Sequence, residues 1–261
     1  MLQAFDFLLR MRWEMKTLSE KEKVRYSRQI LMKEVGEKGQ KKLKKAHVVV
    51  AGLGGLGSCA SLYLAAAGIG RLTLVDFDTV ELSNLNRQIL HWGKDIGKNK
   101  VESALAKLGE MNGDITITGI RAKISEKNIL RILEDADAVV DALDNFKTRF
   151  ILNRAVVERK IPLFHGACHG FQGRATTIIP GKTACLRCLF PKSPPEDRVP
   201  VIGVTPGVIG AIQATEAIKY LIGLPGLFVN QLFLYDAACL RFEIIKAERD
   251  PHCRVCGKCG T

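Results

Sequence analysis

The sequence predicts an α/β fold: a Rossmann-like, doubly wound sheet, parallel in its first half and mixed or antiparallel in its second, with a structural zinc site. Three observations predict it. An apolar strand, Val48-Val49-Val50, runs into a glycine loop, Gly52-Leu53-Gly54-Gly55-Leu56-Gly57, then a helix and a second strand ending on Asp76. Helix and strand patterns alternate as far as Asn145, as they do where crossover helices join parallel strands. Two Cys-x-x-Cys pairs, Cys185/Cys188 and Cys253/Cys256, are separated by 64 residues.

Each element has a local reason. Residues 1–17 read as a frayed N-terminal extension, mildly apolar but interrupted by Arg10 and Arg12, with Met11 or Met15 as alternative starts. They lack the small-residue cleavage site of a signal peptide. Ser19 and Glu22 form a capping box opening an amphipathic helix over Ser19–Val35, and a short basic helix over Gly39–Ala46 leads into the first strand. The helix Gly55–Ala67 is rich in small residues, as close packing on a sheet requires. After the strand Leu72–Val75 come Asp76 and a polar loop to Gln88. A helix over Gly97–Met111, a strand over Ile115–Ile120, a helix over Ser125–Leu133 and a strand over Ala138–Ala142 complete a nucleotide-binding half, residues 47–145. The second half, residues 146–257, begins with a helix over Lys147–Glu158, a strand over Ile161–His165 and a hairpin at Gly173–Pro180. A proline-rich loop, Pro191–Pro200, and a long helix, Pro206–Leu221, lead to strands at Leu232–Tyr235 and Arg241–Lys246. Residues 18–261 are therefore expected to form one domain.

Composition narrows the class. At 261 residues, 47% hydrophobic and 25% charged, the chain is an ordinary globular protein able to bury one sizeable core. No stretch reaches the length of a membrane span. The net charge of +12 is partly local, with Lys33, Lys38, Lys41, Lys42, Lys44 and Lys45 in one run. Such a run is a solvated helix face or a patch that steers an acidic protein partner; no nucleic-acid module is present, and none is expected as a ligand. Eight cysteines in a chain of this length, with no signal peptide, indicate a metal site or free thiols in a reducing cytoplasm.

The chemistry concentrates at two places. Glycines let backbone N–H groups and a helix N-terminus approach phosphate, and an acid at the end of the next strand accepts ribose hydroxyls. The loop after Asp76 (Asp78, Ser83, Asn84, Leu85, Asn86, Arg87) is polar and carries an arginine, which suits the phosphates of ATP better than a redox dinucleotide. Taken singly, Arg28, Arg87 and Lys100 also read as solvated charges, and Asp144 as a helix N-cap. Asp144 nonetheless lies just past a strand carboxyl end, where doubly wound sheets place ligands. The two cysteine pairs have the spacing of a tetrahedral zinc site that ties the C-terminal region back to the middle of the chain. Cys259 reads as a spare thiol on a tail, Cys59 and Cys239 as packed core thiols, and Cys168 as a small residue at a strand end.

The combination resembles a known family. Arg25-Tyr-Ser-Arg-Gln29, the glycine loop, Asp76-Phe-Asp-Thr-Val, Ser83-Asn-Leu-Asn-Arg-Gln88, Gly97-Lys-Asn-Lys-Val101, Asp144-Asn145 and the cysteine pairs occur in the order of the ThiF/MoeB/HesA family, the prokaryotic relatives of ubiquitin-activating enzymes. The resemblance covers Leu18 to Gly257. It implies ATP-dependent adenylation of the C-terminal glycine carboxylate of a small ubiquitin-like sulfur-carrier protein ending in Gly-Gly. Residue by residue, it implies that Gly52, Gly54, Gly55 and Gly57 form the nucleotide loop, with Gly55 behind the phosphates. Asp76 would hold the ribose, and Asp78 and Ser83–Arg87 would line the site. Arg87 and Lys100 would lie on the phosphates, and Asp144, beside Asn145, would ligate Mg²⁺. Arg28 would reach in from a second subunit of a homodimer. The segment Phe190–Thr205 lacks the nucleophilic cysteine of some relatives, and a rhodanese-like domain is not expected after Cys256. The implied mode is therefore MoeB-like, with sulfur delivered by a separate sulfurtransferase or cysteine desulfurase. A superfamily member acting on tRNA or a small-molecule carboxylate, and a non-catalytic nucleotide-binding scaffold, are the alternatives.

Overall fold

The computed structural model describes residues 17–192 and 200–257. The expected frayed extension, apart from residue 17, lies outside these residues, as do most of the proline-rich loop and Cys259. One eight-stranded sheet runs in the order β3-β2-β1-β4-β5-β6-β7-β8. Its strands are β1 (His47–Ala51), β2 (Arg71–Asp76), β3 (Thr116–Arg121), β4 (Ala138–Asp141), β5 (Leu163–His169), β6 (Gln172–Ile178), β7 (Gln231–Asp236) and β8 (Arg241–Lys246). The first five are parallel, and β5–β6, β6–β7 and β7–β8 pair antiparallel. The expected change of strand direction in the second half is therefore present, one strand after the half begins.

Burial explains the arrangement. Every residue of β1 and β4 is buried, as parallel strands covered on both faces must be. One face carries α3 (Gly36–Lys45), α4 (Gly55–Ala67), α5 (Lys100–Met111) and α9 (Val204–Ile222). Their apolar residues meet Val48, Val50, Leu72, Leu74 and Val140 from the strands. The other face carries α6 (Ile129–Ile132), α7 (Phe146–Arg159) and α8 (Leu186–Leu189), packed on Val49, Val75, Val139 and Leu163. The chain leaves β1 for β2 on one side and later crosses to β4 on the other, so the carboxyl ends of β1 and β4 flank a switch point.

Several elements differ from the sequence expectation. The helix expected over Ser19–Val35 breaks into α1 (Glu20–Arg25) and α2 (Ser27–Ile30) at Tyr26. Tyr26 is 3% exposed and its hydroxyl accepts a hydrogen bond from Asn112 Nδ2 at 2.9 Å, so burying this ring overrides helix continuity. The capping box of Ser19 and Glu22 is present. Helix α5 starts at Lys100 rather than Gly97, because Gly97 has φ +85° and Asn99 Oδ1 caps Val101 N at 3.0 Å. The helix expected at Ser125–Leu133 is a single turn. The second-half hairpin turns at Gly170 (φ +57°), so its strands are β5 and β6. In the basic run, Lys42 Nζ donates to the Ile222 carbonyl at 2.6 Å, Lys44 pairs with Glu22 at 2.6 Å and Lys41 with Glu37 at 3.3 Å. Lys42 and Lys44 therefore dock α3, while Lys41 pairs within its own helix.

Candidate functional site

The glycine loop leaves the carboxyl end of β1 in a conformation few other residues allow. Gly52 has φ +97°, and a Cβ there would lie 2.6 Å from the Ala142 carbonyl oxygen. A Cβ on Gly57 would lie 1.9 Å from the Gly52 carbonyl oxygen, so the turn closes only around hydrogen. Gly54 is the N-cap of α4 and offers no side-chain cap, which leaves the first turn's N–H groups to other acceptors.

Asp76, at the end of β2, is 8% exposed. Its Oδ2 accepts from Leu53 N at 2.7 Å and its Oδ1 from Asp78 N at 2.8 Å. Burial pushes its carboxyl pKa up, and the charge of Lys100 draws it partly back. Lys100 is 5% exposed and its ammonium lies 3.0 Å from Asp78 Oδ2. It is the first residue of α5, where the helix dipole disfavours a cation. A buried lysine placed against its own helix dipole is held there by Asp78, with Asp76 nearby.

The polar loop is braced from within. Asn84 is buried and its Oδ1 accepts from Glu81 N at 3.1 Å, so it closes its own turn. Arg87 Nη1 donates to the Ser83 carbonyl at 2.6 Å and to Asn86 Oδ1 at 3.1 Å, which aims a half-exposed guanidinium; Leu85 is half-buried beside them. The N-terminus of α9 closes against both loops. A Cβ on Gly55 would meet Pro206 Cγ at 2.9 Å and the Arg87 carbonyl oxygen at 3.3 Å, and one on Gly203 would meet the Asn86 carbonyl oxygen at 2.2 Å.

Asp144 is exposed on the loop leaving β4. Asn145 Nδ2 donates to its Oδ1 at 3.1 Å, and Asn145 Oδ1 caps α7 at Thr148 N, 2.9 Å away. Sequence reasoning missed what holds this loop. Arg149, 4% exposed, donates through Nη2 to the carbonyls of Leu143 and Gly166, the latter at 2.8 Å. Its Nε lies 3.5 Å from Asp141 Oδ2, within ion-pair range. Asp141 is fully buried and its Oδ2 lies 2.7 Å from His165 Nδ1. Burial alone would raise the Asp141 carboxyl pKa, but Arg149 and His165 outweigh it and hold it low. Burial pushes the His165 pKa down. The available signal was an aspartate closing the otherwise apolar strand Ala138-Val139-Val140-Asp141.

Arg28 is not brought to these residues. It is exposed on α2, and its neighbour Gln29 donates to the Ala67 carbonyl at 3.1 Å, at the far end of α4 from the glycine loop. A helix of 13 residues is about 20 Å long, beyond the reach of an arginine side chain.

Cys185, Cys188, Cys253 and Cys256 form a second centre, their sulfurs all within 4.8 Å of one another and able to hold a metal ion. Cys185 is the N-cap of α8 and Cys188 lies within it, and Asn153 Oδ1 accepts from Leu186 N at 2.9 Å. Cys168 is half-buried, and burial pushes its thiol up to about 12 despite Arg149 and Arg174 nearby, which makes it a poor nucleophile. Cys59 is buried, but Cys239, expected in the core, is exposed in the turn between β7 and β8. That short turn cannot cover it.

A family model described as the ThiF family matches residues 26–255. A SAMP-activating enzyme E1 of Haloferax volcanii is 45% identical over 91% of this chain and 90% of its own. A sulfur carrier protein adenylyltransferase of Thermus thermophilus is 41% identical over 95% of this chain and 93% of its own. An adenylyltransferase and sulfurtransferase MOCS3 of Anopheles gambiae is 43% identical over 94% of this chain, which spans 57% of that protein's length. The crystal structure of E. coli MccB with ATP superposes with a TM-score of 0.82 at 27% identity, over 98% of this chain and 80% of that one. Among the described residues, no helix is long and apolar enough to cross a membrane.

Proposed function

Because the chain belongs to the ThiF family, we propose that it is a cytoplasmic ATP-dependent adenylyltransferase that activates the C-terminal glycine of a ubiquitin-like sulfur carrier for cofactor biosynthesis. The observation that carries this reading is the convergence of the glycine loop, Asp76, Lys100 and Arg87 at the carboxyl end of β1, with exposed Asp144 on the loop after β4. Relatives named as adenylyltransferases support the reaction, and the resemblance to MccB with ATP supports the nucleotide.

A C-terminal carboxylate, with a pKa near 3.5, is already a nucleophile at neutral pH. One of its oxygens attacks the α-phosphorus, the bond to the β-phosphate oxygen breaks, and pyrophosphate leaves with that electron pair. No proton moves, so no general base is needed. The chain's contribution is in-line positioning and charge cancellation. Asp76 orients the ribose, the glycine loop seats the phosphates, and Arg87 and Lys100 offset their charge, Lys100 exchanging Asp78 for phosphate. An exposed carboxylate fits Mg²⁺, so Asp144 would hold that ion, which when bound offsets phosphate charge. The Arg28 that completes a site is that of a second copy, since its own cannot reach.

The four-cysteine centre fits zinc. Tetrahedral thiolate zinc with bonds near 2.3 Å needs sulfur separations of about 3.8 Å; Cys185–Cys253 is 3.7 Å, Cys185–Cys188 3.9 Å and Cys188–Cys256 3.3 Å. Burial raises the Cys188 thiol to about 11, and a bound cation supplies the charge that makes such thiols ligands. With a separate protein delivering sulfur, Cys168 has no covalent role.

The test is ATP–pyrophosphate exchange with purified carriers ending in Gly-Gly. Exchange that depends on one such carrier is expected. ATP binding without exchange for any carrier would sink adenylation of a protein tail.

A further inference from the structure

His91 is a titratable side chain with no part in the reaction above, and it is 3% exposed. Its ring lies between the glycine loop and α5. Nε2 is 3.1 Å from the Leu53 carbonyl oxygen, and Nδ1 is 2.9 Å from Ser103 Oγ. Ser103 Oγ lies 2.8 Å from Lys107 Nζ, and Lys107 pairs with buried Asp95.

A carbonyl only accepts, so Nε2–H donates to Leu53. That leaves Nδ1 of the neutral ring as an acceptor for the Ser103 hydroxyl, which takes a hydrogen bond from Lys107 and also faces the Asp95 carboxylate. His91 is held as the neutral Nε2–H tautomer. Burial, together with the charges of Lys100 and Lys107 and against that of Asp95, pushes its pKa down to about 4. Leu53 is thus gripped on both sides, its N–H by Asp76 and its carbonyl by His91. The peptides flanking Leu53 lead into Gly54 and the start of α4.

Resting on the nucleotide site proposed above, we infer that His91 is a positioning residue: it fixes the glycine loop in its phosphate-receiving form through the Leu53 carbonyl and thereby sets affinity for ATP. The loop is then ordered before nucleotide arrives, and binding does not have to order it. An apolar residue of similar size leaves that carbonyl with only the long bond from Ser58 Oγ, at 3.4 Å, which weakens ATP binding about tenfold.

The test compares ATP affinity by calorimetry, and KM against kcat in exchange, for the full chain carrying His91→Leu or His91→Gln. Histidine ¹⁵N shifts of the wild type are recorded without nucleotide. His91→Leu is expected to bind ATP about tenfold more weakly, with the loss in KM. His91→Gln, whose amide can donate near the place of Nε2, is expected to recover most of it. Wild-type affinity in His91→Leu, or a glutamine variant no better than leucine, overturns the proposal. So does a ¹⁵N spectrum showing the Nδ1–H tautomer or titration near the ordinary 6.5. If His91→Leu does not fold, His91→Phe, which likewise has no donor for the Leu53 carbonyl, replaces it; unchanged ATP affinity there is equally fatal. The NMR arm uses no nucleotide, so a wild type unable to bind ATP overturns the functional reading separately from the hydrogen bond.

Discussion

At the scale of single residues, the site relies on buried polar groups whose partners fix their charge. Asp144, by contrast, is exposed, so its removal leaves little unpaired. Asp144→Ala is expected to abolish pyrophosphate exchange, by at least about a hundredfold, while melting within a degree or two of wild type; preserved exchange would remove it from the mechanism. Cys168→Ser is expected to exchange normally, because a thiol raised to about 12 offers almost no thiolate at neutral pH, and a dead variant would contradict the non-covalent route. His91 gives stability a pH dependence whose sign follows from its lowered pKa. The folded protein keeps His91 neutral, whereas the unfolded chain protonates it below 6.5. Its stabilisation is full above 6.5 and is lost as pH falls toward 4, at up to about 1.4 kcal/mol per pH unit. Urea midpoints of His91→Gln should therefore vary less steeply over that window than those of wild type, and parallel curves would refute the shift.

At the scale of elements, the glycine loop, the polar loop and the start of α9 interlock through backbone contacts too close for a methyl group. Gly57→Ala places carbon 1.9 Å from a carbonyl oxygen, and backbone cannot yield as a side-chain end can. Its expected result is lost ATP binding in calorimetry and a destabilisation of about 1–3 kcal/mol or more. These glycines were legible in the sequence because their spacing carries the function. The alternation of strands and helices was legible too, since β1 and β4 are apolar throughout. The break at Tyr26 was not: residues 19–35 have helical periodicity, and only the distant Asn112, 86 positions away, explains the interruption. The Asp141–Arg149–His165 cluster escaped notice for the same reason, its members lying on three separate elements that the sheet brings together. Lys100 was legible as a charge, but its burial against the helix dipole was not.

At the scale of the molecule, two features bind distant parts of the chain. Arg28 lies a helix length from its own glycine loop, so activity is expected to require two copies. Mixing Arg28→Ala with Asp144→Ala protein after unfolding and refolding should restore about a quarter of wild-type exchange, since half the dimers are mixed and each has one complete site. No recovery from the mixture would rule out sharing between subunits. The second feature is the four-cysteine centre. Chelation, or Cys253→Ser, is expected to lower Tm by several degrees and release one zinc per chain, with the α/β half retaining its far-UV signal; unaltered Tm would refute a structural metal. Cys185 and Cys253 stand 68 positions apart, and α9, β7 and β8 all lie between them. Joined through a metal, this stretch becomes a closed ring, and closing one of that length removes about 4 kcal/mol of disorder from the unfolded ensemble. The ring also imposes an order in time. During synthesis the first half of the sheet can fold as it emerges, but the antiparallel strands stay unsealed until Cys256 has left the ribosome, so the ring can close only after every strand of the sheet has been made.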